Sequence, residues 1–460
     1  MRVVVAGGGV AGCAAALALA RQGHPVAVLE RDATPRPAAV VEAENWARRG
    51  VAQFHQPHAV LARLYAELAA GLPDVLDALA AQGVPEVPLP EGLRSLWCRR
   101  STLEWVLRAA VETEPGISLV PESVAAVEAD GGTVRGVRLL DGATLPADLV
   151  VDAGGRRGRL SRPWLAETLS SPADEVYVSR RYRLLPGART PAANRGVISV
   201  AEADGYAALV FPHDGRTFSV CFTRLPDDDE LTSLQRTAVF EAAARLVPLT
   251  AEWVAPERSV PASPVTVMGG LRNTFRQLDP AAPLGLHPLA DAVCTTNPHF
   301  GRGTALAVAH ALRLAEAVAG DPGDPRAWRE REGSWVAGEL RGWFDDSREI
   351  DADRARVWRA VRDGQRPGGG GSPAPGPVPR LLVLAAAGAD PEVARVVLRH
   401  MHLVDPPDGL SAAHARVGAL LARGWAPGRP APDGPPPGLP LAPPRDELVA
   451  GLAAASELPA

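Results

Sequence analysis

Residues 2–12 read RVVVAGGGVAG, and this stretch decides the fold. A short β-branched run ends at three consecutive glycines, and an Ala/Leu-rich segment of helical composition follows over residues 10–22. Residues 25–30 (PVAVLE) then predict a second strand that ends in a carboxylate. The order of strand, glycine turn, helix and strand predicts a βαβ unit built on a parallel sheet.

The glycine turn also fits the spacing G-x-G-x-x-G, which binds dinucleotides when it follows a strand and opens a helix. Gly7 would make the tight turn, Gly9 would let the backbone approach a pyrophosphate, and Gly12 would let the helix pack on the strand. The helix N-terminus offers free N–H groups and a positive dipole to the diphosphate, and Glu30 can accept from ribose hydroxyls. The predicted dinucleotide-binding residues are Gly7, Gly9, Val10, Ala11, Gly12, Glu30 and Arg31.

The composition excludes several classes of protein. The chain has 460 residues and a net charge of −5, so it lacks the basic footprint of a nucleic-acid-binding protein. Its four cysteines lie far apart without a C-x-x-C pair, and we expect neither a disulfide framework nor a metal site. No segment approaches the roughly 20 apolar residues of a membrane span. The three glycines interrupt the apolar N-terminal stretch that resembles a signal peptide, so we expect a cytoplasmic protein.

The sequence pattern of the remaining chain predicts further helices and strands. Residues 59–82 and 101–114 have helical spacing, and residues 117–151 predict short strands broken by turns. Alternating runs between 175 and 275 predict an antiparallel sheet, interrupted by a helix near 231–246. Aromatic residues in this sheet are candidates for lining a substrate pocket: Tyr177, Tyr182, Phe211, Phe218 and Phe222.

We therefore predict an α/β fold in which a Rossmann-like domain carries an inserted antiparallel β-sheet domain and a helical C-terminal region. The predicted domains are a discontinuous dinucleotide-binding domain at 1–165 plus 280–322, a substrate-binding sheet domain at 166–279, and a helical region at 323–460 with Pro/Gly-rich loops at 366–379 and 427–444.

Four further stretches resemble the FAD-dependent monooxygenases and related flavoprotein oxidoreductases with the aromatic-hydroxylase type of fold. Order and spacing agree over about residues 1–320. The stretches are 50–61 (GVAQFHQPHAVL), similar to G-V-P-Q…H-x-x-L of bacterial flavin epoxidases; 100–104 (RSTLE), similar to R-x-x-L-[DE]; 147–156 (ADLVVDAGGR), similar to A-D-L-V-V-D-A-x-G-R; and 290–303 (ADAVCTTNPHFGRG), similar to G-D-A…N-P…G-x-G.

This resemblance implies FAD as the cofactor, with Arg100 contacting it and Asp291 binding its ribityl chain. From the residues alone, Arg100 could instead pair with Glu104 at i+4, and Asp291 could be an ordinary helix N-cap. His58 is the candidate catalytic residue, although a lone histidine before an apolar helix is more often structural. The resemblance adds these cofactor-binding candidates: Val124, Asp152, Pro298, Gly301 and Gly303.

The resemblance also implies an enzyme, a monooxygenase of secondary metabolism that inserts one oxygen atom from dioxygen into an apolar small molecule. Epoxidation and hydroxylation both stay open. No second G-x-G-x-x-G follows, so either NAD(P)H docks transiently or a separate flavin reductase supplies reduced flavin. An FAD-dependent dehydrogenase or reductase of an alkene would share every FAD motif. A degenerate or non-redox flavoprotein stays open because Ala52, His55 and Ala290 depart from the family pattern.

Two features in which the chain differs from related flavoproteins each lead to a separate prediction. Flavin halogenases share this fold, depend on a lysine between flavin and substrate, and carry a W-x-W-x-I-P stretch. This chain contains no lysine and no such stretch, which predicts that it does not halogenate. Ala290 stands where the family has glycine. Its methyl group either crowds the cofactor or points into the protein, and the sequence leaves both open.

Overall fold

The computed structural model describes residues 1–51, 53–365, 378–427 and 441–457, with only the backbone at residue 167. Ala52 and most of the two predicted Pro/Gly-rich loops, at 366–377 and 428–440, lie outside the described residues. The chain divides into two compact units. The first unit is Met1–Ser171 with Asn273–Phe344, and the second unit is Pro172–Arg272 with Asp345–Ala460.

The helices alternate with strands in the first half of the chain and dominate its second half. In chain order they are α1 (Val10–Arg21), α2 (Ala62–Gly71), α3 (Pro73–Ala81), α4 (Arg100–Thr113), α5 (Thr237–Leu246), α6 (Pro248–Val254), α7 (Arg302–Gly320), α8 (Pro325–Trp335), α9 (Arg341–Arg362), α10 (Arg380–Ala386), α11 (Pro391–Met401), α12 (His414–Ala422) and α13 (Arg445–Ser456). A π-helical turn, Val336–Leu340, joins α8 to α9.

The strands are mostly short. They are β1 (Val3–Ala6), β2 (Val26–Leu29), β3 (Glu86–Pro88), β4 (Arg94–Leu96), β5 (Ile117–Val120), β6 (Val124–Asp130), β7 (Thr133–Leu139), β8 (Thr144–Pro146), β9 (Leu149–Asp152), β10 (Leu165–Pro172), β11 (Val176–Leu184), β12 (Ser199–Ala203), β13 (Tyr206–Pro212), β14 (Thr217–Arg224), β15 (Ser259–Pro261), β16 (Thr266–Met268), β17 (Arg272–Leu278), β18 (Leu286–Pro288) and β19 (Cys294–Thr295).

A five-stranded parallel sheet of order β18-β9-β1-β2-β5 forms the centre of the first unit. Strand β1 lies between β2 and β9, with Val3 opposite both Val26 and Leu149. These strands are buried and rich in valine, as expected for a parallel sheet covered on both faces. The chain thus has the predicted α/β fold, with a Rossmann-like sheet formed by strands distant in sequence.

The central antiparallel sheet of the second unit has the order β12-β13-β14-β11-β15, and β16 also pairs with β11. Alternation along its strands separates the aromatic residues onto two faces. Tyr182, Phe218 and Phe222 belong to a buried core with residues of α5, α6 and α13. Tyr177 and Phe211 belong to a different cluster that includes Trp358 of α9. The first three side chains are therefore core residues and do not line an open pocket.

Two details differ from the predicted organisation. The predicted helix at 59–82 is two helices, α2 and α3, because Pro73 cannot continue a helix but suits the first position of a new one. The predicted helical region at 323–460 does not form one unit. Its residues up to Phe344 belong to the first unit, and those from Asp345 belong to the second. The functional division into flavin and substrate domains stays a prediction.

Three further features concern the whole described chain. None of its helices is long and apolar enough to cross a membrane. Its four cysteines are buried free thiols. Across the same residues, no three His, Cys, Asp or Glu side chains are arranged to hold a metal ion.

Candidate functional site

The motif glycines in the turn between β1 and α1 lie in different surroundings. Gly7 has φ +114°, and a Cβ there would lie 2.4 Å from the carbonyl oxygen of Ala153. A Cβ on Gly12 would lie 1.9 Å from the carbonyl oxygen of Gly7. Around Gly9, in contrast, no described atom lies within 4 Å of the position of a Cβ. Gly7 and Gly12 are needed by the fold itself, whereas Gly9 borders open space.

That open space lies at the N-terminus of α1. Gly9 is the N-cap residue, and no side chain of the described residues caps this end of the helix. The first turn, which begins with Val10 and Ala11, contains no acidic residue. The first N–H groups of a helix have no partner within the helix, and together with the helix dipole they attract an anion. The geometry therefore fits a diphosphate beside Gly9.

Glu30 follows β2 and is tied to the same turn. One carboxylate oxygen accepts the Gly8 N–H at 3.0 Å and the other accepts the Asp32 N–H at 2.9 Å. Arg48 donates to Glu30 at 3.3 Å and to the Gly8 carbonyl at 3.2 Å. Glu30 thus stabilises the glycine turn as well as lying where a ribose would be bound in a Rossmann fold.

A buried charge cluster that the sequence motifs do not reveal lies beneath this turn. The Arg48 side chain is 2% exposed, and its guanidinium lies 3.6 Å from Asp32 and 3.5 Å from Glu104. From α4, Arg108 directs Nη1 toward Gly8, and this buried atom has no hydrogen-bond partner among the described residues. The resemblance placed Arg100, at the start of α4, near the cofactor, but no motif marked Arg48 or Arg108 as members of a buried charge cluster.

Arg100 opens α4 and forms the i+4 ion pair with Glu104 that its spacing allowed, with 2.7 Å between Nε and Oε1. Its guanidinium also contributes, with Arg156 and Arg276, to the electrostatic surroundings of Asp291. Burial raises the pKa of the Asp291 carboxyl, and these three arginines oppose that rise. The fold therefore brings together three of the family-like stretches, 100–104, 147–156 and 290–303.

Asp291 has the more open carboxylate of the two predicted cofactor-binding aspartates. Within the described residues, its carboxylate oxygens accept no hydrogen bond, and the residue is partly exposed. Asp152 is 1% exposed, and its carboxylate accepts the Gly154 N–H at 3.0 Å and the Ser161 hydroxyl at 2.6 Å. The geometry gives Asp291 free acceptors for a ligand. It gives Asp152 the role of holding the loop from Gly154 to Ser161.

The segment before α7 has the form expected of a ligand-facing loop. Pro298 begins a 3₁₀ turn whose N-cap, Asn297, accepts the His299 N–H through its side chain. Gly301 has φ +64° and precedes α7, and around Gly303 no described atom lies within 4 Å of a Cβ position. No side chain in the described chain caps α7. The N-terminus of this long helix is therefore open at Gly303.

The candidate catalytic segment lies next to this loop. A Cβ on Gly301 would lie 3.4 Å from the carbonyl oxygen of Ala59, so the stretches 50–61 and 290–303 are neighbours. The ring of His58 is held locally, with Nδ1 2.8 Å from the carbonyl oxygen of Gln56. This contact gives His58 a defined orientation, and its catalytic role stays a prediction.

Two of the predicted cofactor-binding residues, Val124 and Arg31, offer few side-chain groups for binding a cofactor at the glycine turn. The Val124 side chain packs on a hydrophobic cluster that includes Val4 and Leu29. Arg31 is exposed, and its Nη2 lies 2.9 Å from the Cβ position of Gly50. A contact of Val124 with a cofactor would have to use its backbone. A contact of Arg31 would use its exposed side chain.

A second group that the sequence did not reveal lies behind Asp291. The N–H of Ala290 donates to His310 Nδ1 at 3.1 Å, and His310 Nε2 lies 2.8 Å from Glu332 Oε1. His287 Nδ1 contacts the other oxygen of Glu332. The side chains of His287, His310 and Glu332 are all buried. They come from β18, α7 and α8, so only the tertiary structure brings them together.

Two family models match parts of the chain. Residues 2–114 match the family described as FAD dependent oxidoreductase. Residues 98–205 match the family described as Tryptophan halogenase. The two matches together run from β1 to the end of β12, the second strand along the chain of the antiparallel sheet in the second unit. A comparison with curated protein sequences finds no match.

Solved structures of flavoproteins share the fold. A triple mutant of the flavin-dependent brominase Bmp2 is 17% identical, with a TM-score of 0.60 over 92% of this chain and 99% of that one. PqsL from Pseudomonas aeruginosa, described as a probable FAD-dependent monooxygenase, is 17% identical, with a TM-score of 0.55 over 79% and 99%. A variant of HpxO from Klebsiella pneumoniae, solved with FAD, is 14% identical, with a TM-score of 0.53 over 91% and 98%. At these identities the likeness shows the fold alone.

Proposed function

We propose that this chain is an FAD-dependent oxidoreductase of the monooxygenase type, which binds FAD and inserts one oxygen atom of dioxygen into an apolar small molecule. One observation carries the cofactor part of the proposal. The space beside Gly9 is open at the uncapped N-terminus of α1, as far as the described residues go, while Gly7 and Gly12 are glycines for reasons of packing. A turn with no ligand would not need glycine at the middle position.

The residues that would hold FAD follow from the polar groups that lie around the open space. The N–H groups at the start of α1 would bind the diphosphate, and Glu30 would accept from the adenosine ribose. The Asp291 carboxylate, which accepts no hydrogen bond from the described residues, would accept from the ribityl hydroxyls. Arg100 lies near Asp291 and would offset negative charge there. Each partner is supplied by a different element of the first unit.

FAD would supply the redox chemistry, and the protein would bind it, orient it and stabilise charge on it. The open N-terminus of α7 beside Gly303 is the group best placed for the last task, because the positive end of a helix dipole favours negative charge. His58 lies in the segment that adjoins Gly301 and would be a candidate for holding or moving a proton. We propose NAD(P)H as the electron source, either directly or through a separate flavin reductase.

The cofactor part is tested first. We expect the purified protein to show a flavin absorption spectrum, or to bind FAD when the apo-protein is titrated and flavin fluorescence is followed. Absence of binding would favour a degenerate, non-redox protein. The reaction is tested next, by supplying reduced FAD, isotopically labelled dioxygen and a panel of apolar alkenes and arenes. A product that carries one labelled oxygen atom supports oxygen insertion, whereas a desaturated or reduced product without label supports the dehydrogenase or reductase alternative.

Halogenation is a second candidate function, because the Tryptophan halogenase family model matches residues 98–205 and the brominase Bmp2 has the same fold. The absence of lysine from the whole chain argues against it. We expect no brominated product when bromide is added to the same reaction with any accepted substrate. Enzymatic bromination would show that the chemistry proceeds here without a lysine, and it would replace oxygen insertion as the proposed reaction.

A further inference from the structure

The turn that carries Asp291 is held in an unfavourable backbone conformation. Ala290 has φ +51°, in the left-handed region that glycine adopts readily and alanine adopts only when its surroundings impose it. Its side chain is buried, so the methyl group points into the protein. The departure from glycine at this position is therefore a matter of backbone strain. Something in the fold must compensate for that strain.

His310 is the residue that holds the strained N–H. Its buried ring accepts the N–H of Ala290 through Nδ1 at 3.1 Å. Because an accepting nitrogen carries no proton, the ring hydrogen lies on Nε2 and points toward Glu332 Oε1 at 2.8 Å. Glu332 thereby selects the tautomer that Ala290 requires. If the ring took the other tautomer or a positive charge, Nδ1 would become a donor and this hydrogen bond would be lost.

Glu332 is kept ionised in spite of its position in the core. Burial alone would raise its pKa, but His287 and His310 outweigh burial and lower the pKa to about 2. Arg329, on the same helix, also interacts electrostatically with Glu332. An ionised carboxylate that receives two ring N–H donors is a strong, directional anchor for both histidines.

The other side of the turn is held separately. Arg276 Nη1 donates to the carbonyl oxygens of Asp291 and Ala292 at 3.3 and 3.2 Å. The carbonyl groups are thus fixed from β17, and the N–H that precedes them is fixed from α7. With both ends of the turn held, the backbone of Asp291 is fixed, and this limits the directions that its side chain can take.

We propose that His310 is a positioning residue of the flavin site: oriented by Glu332, it fixes Ala290 in the left-handed conformation and so directs the Asp291 carboxylate toward the FAD ribityl chain. The last step rests on the proposed function. The fixing of the turn does not, and it can be measured in the apo-protein.

The first measurement compares two substitutions by FAD titration. His310→Leu removes the acceptor, and we expect it to weaken FAD binding about tenfold. His310→Asn places an amide oxygen near the position of Nδ1 and keeps an acceptor, so we expect a loss of less than about threefold. Equal losses in the two variants would overturn the role of the acceptor, and so would an unchanged affinity in His310→Leu.

The second measurement repeats both substitutions in an Ala290→Gly background. Glycine adopts the left-handed conformation without help, so His310→Leu should then weaken FAD binding by less than about threefold. A merely structural role for His310 would give the same tenfold loss in both backgrounds. That result would overturn the proposal even if every variant folds.

Urea unfolding of the same apo-proteins separates this proposal from the proposed function. We expect the unfolding midpoint to fall on His310→Leu in the wild-type background and to fall clearly less in the Ala290→Gly background. If the midpoints show this coupling but no protein binds FAD, His310 fixes the turn and the flavin function is wrong. If the wild type binds FAD but neither the midpoints nor the affinities show coupling, the flavin function stands and the positioning role is wrong.

Discussion

The molecule contains two turns at the carboxyl ends of parallel strands of one sheet, and they reach a left-handed conformation by different means. The turn after β1 uses glycine: Gly7 has φ +114°, a conformation that glycine adopts without strain. The turn after β18 uses alanine: Ala290 has φ +51° and is held by His310, Glu332 and Arg276. The first turn carries its information in the local sequence. The second is imposed by side chains more than ten residues away.

This difference has a consequence for robustness. A glycine turn depends on the space around each glycine, so a substitution that adds a side chain disrupts its conformation. An alanine turn depends on the buried network that holds it, so removal of a distant histidine or carboxylate disrupts its conformation. The two turns can therefore be broken by different substitutions.

The largest effect is expected at the glycine turn. Gly9→Val should abolish FAD binding, because the side chain would occupy the open space beside the N-terminus of α1. The fold should survive, since no described atom lies within 4 Å of the new Cβ. Flavin fluorescence titration measures the loss of binding, and circular dichroism of the apo-protein checks the fold.

Gly12→Val is the matched control for that experiment. Its Cβ would lie 1.9 Å from the carbonyl oxygen of Gly7, so the protein should be destabilised by about 3 kcal/mol or more. Normal FAD affinity in Gly9→Val would contradict the assignment of the open space to the diphosphate. Equal destabilisation of both variants would show that the space beside Gly9 is not open in solution.

The alanine turn should depend on pH through Glu332. Its pKa in the folded protein is lowered to about 2 from an ordinary value of 4.5, so its ionised form stabilises the fold above about pH 4.5. This contribution is lost progressively as the pH falls from 4.5 toward 2. We expect Glu332→Gln to be less stable than the wild type near pH 6, with a difference that shrinks below about pH 4. A difference that does not change with pH, measured by urea unfolding, would contradict the lowered pKa.

Glu30 offers a smaller effect at the glycine turn. Glu30→Ala removes an acceptor for the ribose and also releases the Gly8 N–H, so FAD binding should weaken by about 1–3 kcal/mol. Glu30→Gln keeps one acceptor oxygen and should lose less. Both variants are compared with the wild type by FAD titration, and an unchanged affinity in Glu30→Ala would remove Glu30 from the binding site.

The smallest effect is expected from relaxing the alanine turn. Ala290→Gly removes the left-handed strain and should stabilise the apo-protein by about 1 kcal/mol. FAD binding should become tighter by the same order, about fivefold, if the strain is relieved more fully in the bound state. Thermal unfolding and FAD titration measure the two effects. If Ala290→Gly is instead less stable than the wild type, the surrounding network already compensates the strain in full.

Much of the first unit could be predicted from local patterns. The βαβ opening, the glycine turn and helices α4 and α7 follow from periodicity and from motifs whose residues are adjacent in the chain. The same motifs predicted the fold, which the structure confirms, and a resemblance to FAD-dependent oxidoreductases, which the family model over residues 2–114 supports. The break between α2 and α3 was missed, although Pro73 signalled it. The aromatic residues of the antiparallel sheet could not be assigned to faces, because strand pairing and helix packing were not known.

What the sequence by itself determined is the type of site: a glycine spacing and a carboxylate at the end of the next strand specify a dinucleotide fold through contacts that are local or one βαβ unit long. What only the tertiary structure decided is how the site is held. Arg48, Arg108, His310 and Glu332 lie on elements that meet through packing, and nothing in their own neighbourhoods marks them. The physical reason is that a motif depends on the backbone geometry of a few neighbouring residues. A buried polar network depends on side chains that become partners only when the core of the protein packs.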